Sequence, residues 1–213
     1  MPRKRSPLPV AAVLLALVAP PAARAEPAAS LRLALAPAVG SAVPGVPVAD
    51  AIQFQFPIQL DAGWAFGPLT VGAYGSWGYG LVGKCQGSCD ASVVRAGLEA
   101  TWTFESVPDV RGAAPWAGVG TGYEWATERR SGAGNAVTTT WRGFELFSVQ
   151  GGLEWRVAPA VALGPFLLVG VGRYTNIALD TGVDTASAEL THRAVHAWIH
   201  AGVRARLVLE KPR

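Results

Sequence analysis

The chain has 213 residues, of which 50% are hydrophobic and only 15% are charged. Four of its 18 basic residues lie in the first 25 positions, so 14 basic residues face 15 acidic ones in the remainder. The absence of clustered basic residues excludes nucleic-acid binding. No apolar run after residue 25 is long enough for a spanning helix, which leaves a buried soluble core or a membrane β-barrel.

The first 25 residues have the pattern of a cleaved secretory signal peptide. Arg3 to Arg5 form a basic start, and Val10 to Val18 form an apolar run about half as long as a spanning helix needs. Ala23-Arg24-Ala25 matches the small residues that precede a cleavage point. We therefore predict that residues 1–25 are removed and that residues 26–213 form one domain.

Alternation of apolar and polar residues, the mark of a strand with two different faces, recurs about eight times. The predicted strands are 31–36, 52–66, 69–79, 94–104, 117–125, 141–157, 161–176 and 195–207. In the sixth, Glu145 falls on the apolar parity and Phe144 on the polar one, so a β-bulge near Phe144–Phe147 is needed to restore the phase. Ile52 begins the second strand on its apolar face.

Turns follow the second, fourth and sixth predicted strands, of which the middle one, 105–115, is longer, and longer loops, including 127–139 and 177–190, follow the others. An even number of strands with turns at one end and loops at the other is the plan of an up-and-down barrel that spans a membrane. The soluble alternative, with apolar residues inside, is disfavoured because residues 26–213 contain only two lysines and the polar face is rich in glycine. The sequence thus predicts an all-β, up-and-down antiparallel transmembrane β-barrel of about eight strands.

Aromatic residues on the apolar parity lie at the ends of the strands, as in the two belts that mark the interfaces of a bilayer. Those that flank the short turns are Trp64, Phe66, Trp102, Phe104 and Trp155. Those that flank the long loops are Trp77, Tyr79, Tyr123, Trp125 and Trp141. Trp116, Tyr174 and Trp198 fall on the polar parity instead.

With these features the chain resembles the small outer-membrane β-barrels of Gram-negative bacteria, of the OmpA and OmpX type. The resemblance covers nearly all of residues 26–213 and rests on the signal, the strand number, the aromatic belts and the loop lengths. It implies that the domain lies in the bilayer of the cell outer membrane. The chain departs from these proteins in ending RARLVLEKPR, without a terminal aromatic residue. We expect a monomer, with an unidentified extracellular partner.

Charged residues on the polar parity are predicted to face the barrel interior. They are Arg32, Asp61, Arg95, Glu99, Glu124, Arg142, Glu154, Arg156, Arg204 and Arg206. Eight strands leave an interior just wide enough for side chains, and buried charges need partners. We therefore expect these residues to pair and fill the interior; a polar channel is the alternative.

No residue pattern indicates catalysis, a cofactor or a metal. His192, His196 and His200 share a strand parity, but neighbours in this series lie roughly 13 Å apart in an extended strand. Ser187 and Glu189 near His192 lack a recognisable signature, and the glycines of GVGTGYE (118–124) lie within a strand rather than before a helix. We expect a non-enzymatic barrel with a structural or surface-interaction role through its extracellular loops; the alternatives are a small-solute pore and a lipid-modifying enzyme.

Cys85 and Cys89, in the stretch LVGKCQGSCD, are the two cysteines of the chain. Two thiolates do not complete a zinc site, and three intervening residues differ from the spacing of a thioredoxin-type redox motif. An exported, oxidising setting favours a disulfide. We predict a Cys85–Cys89 bond that shapes a loop outside the cell.

Overall fold

The computed structural model describes residues 25–85, 87–105, 112–132 and 135–208, which form mostly long strands. The predicted signal peptide lies outside this part of the chain, except for Ala25. The elements are β1 (Glu26–Val43), β2 (Val46–Pro47), α1 (Val48–Ala51), β3 (Phe54–Phe66), β4 (Leu69–Leu81), β5 (Ser88–Thr103), β6 (Ala114–Gly132), β7 (Asn135–Ala158), β8 (Val161–Asp180), β9 (Thr185–Glu189) and β10 (His196–Val208). No helix in the described ranges is both long enough and apolar enough to cross a bilayer.

Eight antiparallel strands close into a ring. The order is β1, β3, β4, β5, β6, β7, β8 and β10, and β10 returns to β1, with Ala28 opposite Val208 at one end and Gly40 opposite His196 at the other. The two remaining strands are appendages, because β2 pairs with β1 and β9 pairs with β8. This ring confirms the predicted all-β up-and-down barrel of eight strands.

The alternation in the sequence places the apolar residues on the outer wall. Leu98 is 64% exposed, whereas the next residue, Glu99, is 9% exposed and points inward. A wall of exposed leucine, valine and phenylalanine is stable only against lipid, because water would penalise so large an apolar surface. The interior, by contrast, holds polar and charged side chains.

The connections differ from the prediction at the long-loop end. The segment 127–139, predicted to be a loop, continues β6 and β7 as a paired hairpin in which Arg129 lies opposite Thr138 and Ser131 lies opposite Ala136. The run from Val137 to Thr140 consists of β-branched residues, which favour extended backbone. The second predicted loop, 177–190, likewise contains the end of β8 and all of β9.

The predicted bulge is present in β7, and it reverses the facing of the residues that precede it. Pairing to β8 skips Leu146, between Glu145 and Phe147. As a result Trp141 points inward and is buried, whereas Arg142 is exposed on the outer wall. The prediction of Trp141 in the aromatic belt and of Arg142 in the interior was therefore wrong, because both followed the parity of the C-terminal half of the strand.

Ile52 also departs from the prediction. The strand β3 begins at Phe54, and Ile52 is fully buried directly after α1. The alternation of the sequence continues through Ile52, but the helical turn ends there and directs its side chain into the mouth of the barrel. Ile52 is therefore an interior residue rather than a lipid-facing one.

Candidate functional site

Charged residues in the short-turn half of the interior converge on Arg32. Arg32 is 1% exposed; its Nε lies 3.0 Å from Asp61 Oδ2, and its Nη2 lies 2.6 Å from Glu99 Oε1. It also donates a hydrogen bond to Gln150, which in turn donates one from Nε2 to Glu99 Oε2 over 2.9 Å. The four side chains come from β1, β3, β5 and β7, so this cluster ties half of the barrel wall together.

A second group of charges lies nearer the short turns, around Glu154. Arg204 Nη1 lies 3.2 Å from one carboxylate oxygen, and Arg206 Nε donates to the other over 2.7 Å. Arg204 Nε also donates to Ser30 Oγ over 3.2 Å, and its guanidinium carbon lies 4.2 Å from the ring centroid of Trp116. This is cation–π geometry, which explains why a tryptophan of the polar parity points inward.

Arg95 occupies the middle of the interior. Its Nη1 lies 3.4 Å from Glu145 Oε2, and its Nη2 lies 3.5 Å from both Ser76 Oγ and His200 Nδ1. Glu145 was not among the predicted interior charges because it precedes the bulge at Leu146 and so appeared on the apolar parity. The position of Glu145 on the apolar parity was the feature of the sequence that indicated an inserted residue nearby.

Glu124 in the long-loop half accepts hydrogen bonds from two aromatic residues. Tyr174 Oη donates to its Oε1 over 2.5 Å, and Trp198 Nε1 donates to the same oxygen over 3.2 Å. His196 Nε2 lies 3.3 Å from that oxygen, and its ring stacks on Tyr174 with centroids 4.1 Å apart. Tyr174 and Trp198 fall on the polar parity of their strands, so they were not predicted to lie in the aromatic belts.

The three histidines serve different parts of the barrel. His196 lies against Glu124, His200 lies beside Arg95, and His192 is exposed in the loop before β10. Ser187 is exposed in β9, and Glu189 pairs with Arg193 over 2.5 Å. Within the described residues, no group of three or more potential ligands is arranged to hold a metal ion.

The glycines of 118–124 lie within β6 and make room for side chains that point inward. A Cβ atom on Gly122 would lie 2.4 Å from the hydroxyl of Tyr74, whose ring extends from β4 over Gly97 of β5. An alanine there would force that ring to move, so the glycine is required by packing and not by a phosphate group.

An apolar plug fills the long-loop end of the interior. We define it as Val48 and Ala51 of α1 together with Ile52, which pack against Ala42 and Trp141 from the wall. Ile52 has no exposed surface, and the other four residues are also buried. The charged groups and this plug occupy successive levels of the interior, and a small cavity lined by Ser30, Asp61 and Arg206 remains at the short-turn end.

The cysteine loop lies directly over the plug. The predicted Cys85–Cys89 disulfide is present, with the two Cα atoms 6.1 Å apart. Lys84 binds α1 twice, through an ion pair of 2.8 Å to the carboxylate of Asp50 and a backbone hydrogen bond of 3.0 Å to its carbonyl. A Cβ atom on Gly83 would lie 2.0 Å from the carbonyl oxygen of the residue before Asp50, so the loop and α1 are in close contact.

Nine of the ten predicted belt residues lie on the outer wall. Trp64 and Trp102 are exposed at the short-turn end, and Trp77 and Tyr79 at the other. The others are Phe66, Phe104, Trp155, Tyr123 and Trp125. The place expected for Trp141 is taken by Phe144, whose ring lies 5.0 Å from that of Tyr123.

The remaining predicted interior charge, Arg156, lies exposed near the short-turn end of β7, where it has an interaction partner. It is thus at the rim of the interior rather than within it. Its strand continues only as far as Ala158, so little wall is left to cover its side chain.

Comparisons with known proteins identify the fold. No protein-family profile and no curated protein matches the sequence. Among solved structures, the outer-membrane protein AlkL is 12% identical, with a TM-score of 0.50 and 99% of each chain covered. Neisserial surface protein A is 18% identical, with a TM-score of 0.47, and covers 83% of this chain and 97% of its own. The N-terminal barrel of OprF from Pseudomonas aeruginosa is 9% identical, with a TM-score of 0.41, and covers 85% and 99%.

Identities this low concern the fold alone. The closed ring of eight strands, the apolar outer wall and the two aromatic belts agree with that likeness. The chain has the fold of the small outer-membrane β-barrels, with an apolar outer wall suited to a lipid bilayer.

Proposed function

We propose that this protein is a non-enzymatic outer-membrane barrel whose extracellular hairpins interact with a partner at the cell surface. The observation that carries the proposal is the contrast between a filled interior and extended hairpins. Ion pairs around Arg32 and Arg95, the Glu124 site and the apolar plug occupy successive levels of the interior. A barrel of eight strands has no room for a pore beside such side chains.

The extracellular end offers two polar hairpins to a partner. Beyond Trp125 the strands β6 and β7 continue to Gly132 and from Asn135, and their outer positions carry threonine and arginine. The strand β9 is exposed along its whole length and pairs only with β8 among the described residues, so its other edge is available for backbone hydrogen bonds. Extended hairpins with polar surfaces suit a binding role better than a transport role.

The proposal is tested by removing the hairpin tip while keeping the barrel. A variant in which residues 129–138 are replaced by a two-residue Asn-Gly turn retains the wall of β6 and β7 below Trp125. We expect a deletion strain to lose surface attachment or outer-membrane integrity, and the intact protein, but not the trimmed one, to restore it. Full restoration by the trimmed barrel contradicts the proposal.

Two further measurements address the alternatives. Planar-bilayer recordings of the purified barrel should show no discrete conductance, and regular channel steps would instead favour a small-solute pore. Mass spectra of lipid A should be the same with and without the protein, and a change in acylation would favour a lipid-modifying enzyme. Heat-modifiable gel mobility establishes that each sample is folded.

A further inference from the structure

Two arginines lie side by side on the outer wall, where every neighbour on the same strands toward the short turns is apolar or small. Arg142 of β7 is exposed, and Arg173 of β8 is half-buried. Arg173 lies opposite Phe144 in the β7–β8 pairing, so it is a diagonal neighbour of Arg142. Diagonal positions on one face of a sheet are about 7–8 Å apart, which long side chains can bridge.

Neither guanidinium has an acidic partner among the described residues. The ion pairs of the barrel involve other arginines, and Arg173 Nε is shielded from solvent without a hydrogen-bond acceptor. Two like charges at this spacing repel each other, and a shielded donor without an acceptor is unfavourable. An anion between the two side chains would relieve both effects.

A bulge in β8 adds two neutral polar side chains beside the pair. The pairing passes from Tyr174 opposite Gly143 to Asn176 opposite Arg142, which leaves Thr175 as the extra residue. Thr175 Oγ1 donates to Asn176 Oδ1 over 2.8 Å, so the hydroxyl and the amide stand together at the wall. The same hydroxyl lies 3.2 Å from the carbonyl oxygen of Arg142, so its hydrogen is already engaged. Two guanidiniums and the amide nitrogen of Asn176 remain as donors suited to a phosphate group.

The height of the pair on the wall identifies the source of that phosphate. At about 3.3 Å per residue and a strand tilt of about 40°, the stretch from Trp155 to Arg142 rises roughly 33 Å. The apolar layer is about 25–30 Å thick, so Arg142 reaches the level of the headgroups at the extracellular belt, directly opposite Trp125. An arginine at this level is close to lipid phosphates and still screened from bulk water.

We infer that Arg142, Arg173 and Asn176, whose amide is held by Thr175, form a binding site on the outer wall for the phosphate of an anionic lipid in the outer leaflet. The site lies outside the interior, and its residue Asn176 is also opposite Glu189 of β9, whose carboxylate is paired with Arg193 over 2.5 Å. Arg129 lies further out on β6, opposite Asp90 of β5, and is exposed there. Because that carboxylate competes for it, we leave Arg129 outside the site.

The test measures lipid binding to the full barrel by native mass spectrometry from detergent micelles. The probes are bisphosphorylated lipid A and phosphatidylglycerol, with phosphatidylcholine as the neutral comparison. The variant is Arg142→Gln/Arg173→Gln. The matched control is Arg129→Gln/Arg130→Gln, which removes the same charge from two exposed arginines of β6 that lie outside the site.

We expect the wild-type protein and the control to retain an anionic lipid, and the Arg142/Arg173 variant to bind it about tenfold more weakly. Equal retention by that variant overturns the inference, as does equal retention of phosphatidylcholine by the wild type. Displacement of bound lipid by an equal concentration of inorganic phosphate also overturns it, because the site would then select free anions. If the double variant does not fold, the single variants Arg142→Gln and Arg173→Gln are compared with the same control, and the same outcomes apply.

Discussion

The two ends of the barrel interior are closed by different kinds of interaction. In the short-turn half, Arg32 binds Asp61 and Glu99 from two other strands. At the long-loop end, closure depends on apolar contacts between Ile52 and residues of α1 and the wall. The loss of one member of a charge cluster is strongly destabilising, because its partners stay buried and unpaired. A substitution in an apolar plug lowers the stability in proportion to the volume removed.

The largest effect is expected from Arg32→Met, which leaves two buried carboxylates without their partner. We expect the free energy of unfolding to fall by about 3–5 kcal/mol. Urea unfolding in lipid vesicles, followed by tryptophan fluorescence, measures it. Adding Asp61→Asn and Glu99→Gln should recover much of the loss, because no uncompensated charge then remains. A single variant as stable as the wild type would show that the cluster is not held by charge.

A smaller effect is expected from Ile52→Ala in the plug. Removing a buried branched side chain should lower the free energy of unfolding by about 3 kcal/mol, through lost burial and the cavity that remains. Ile58→Ala is the matched control, because Ile58 lies on the outer wall of β3 and is 46% exposed. Similar losses for the two variants in the same urea assay would argue that Ile52 does not pack inside the barrel.

The disulfide is expected to contribute less than the plug it covers. Cys85→Ser/Cys89→Ser should lower the free energy of unfolding by about 2 kcal/mol, since the ring that it opens is short. Cleavage by protease near Lys84 should accelerate as the loop loosens over α1. Treatment of the wild type with dithiothreitol should reproduce both changes; an unaffected cleavage rate would indicate that Lys84 and Asp50 hold the loop unaided.

The smallest effect is expected from Arg130→Gln at the long-loop rim. Arg130 pairs with Glu128 over 2.7 Å, but its side chain is 46% exposed, so water screens the interaction. We expect a change below about 1 kcal/mol in the urea assay. Arg130→Gln and Arg32→Met each remove one arginine from an ion pair. The difference between their losses of unfolding free energy therefore measures the effect of burial on the pair. A loss comparable to that of Arg32→Met would mean that the rim is far more rigid than its exposure indicates.

The sequence was sufficient to predict the architecture, because the alternation of apolar and polar residues along a strand is a property of neighbouring residues. Leu98 and Glu99 are adjacent, so their opposite faces follow from strand geometry alone. The position of Trp77 and Trp102 on the outer wall follows in the same way. The disulfide was also predictable, since the two cysteines are four residues apart and the first 25 residues have the pattern of an export signal.

What the sequence did not reveal depends on single inserted residues and on long-range contacts. The extra residue at Leu146 reverses the facing of Trp141 and Arg142, and alternation alone cannot show which half of the strand keeps the original phase. Ile52 continues the alternation of β3 but packs under the cysteine loop, a contact decided by tertiary structure. The outward Arg142 acquired a neighbour in Arg173 only through the register of β7 and β8.

The pairing of β1 with β10 makes barrel formation an all-or-none event. Ala28 and Val208 are at opposite ends of the described chain, yet they are direct neighbours in the sheet. A growing sheet therefore keeps two unpaired edges, at β1 and at β8, until the last strand arrives to cover both. Until then each edge exposes backbone donors and acceptors that a hydrocarbon layer cannot satisfy. Insertion into the bilayer and closure of the ring must consequently be completed together.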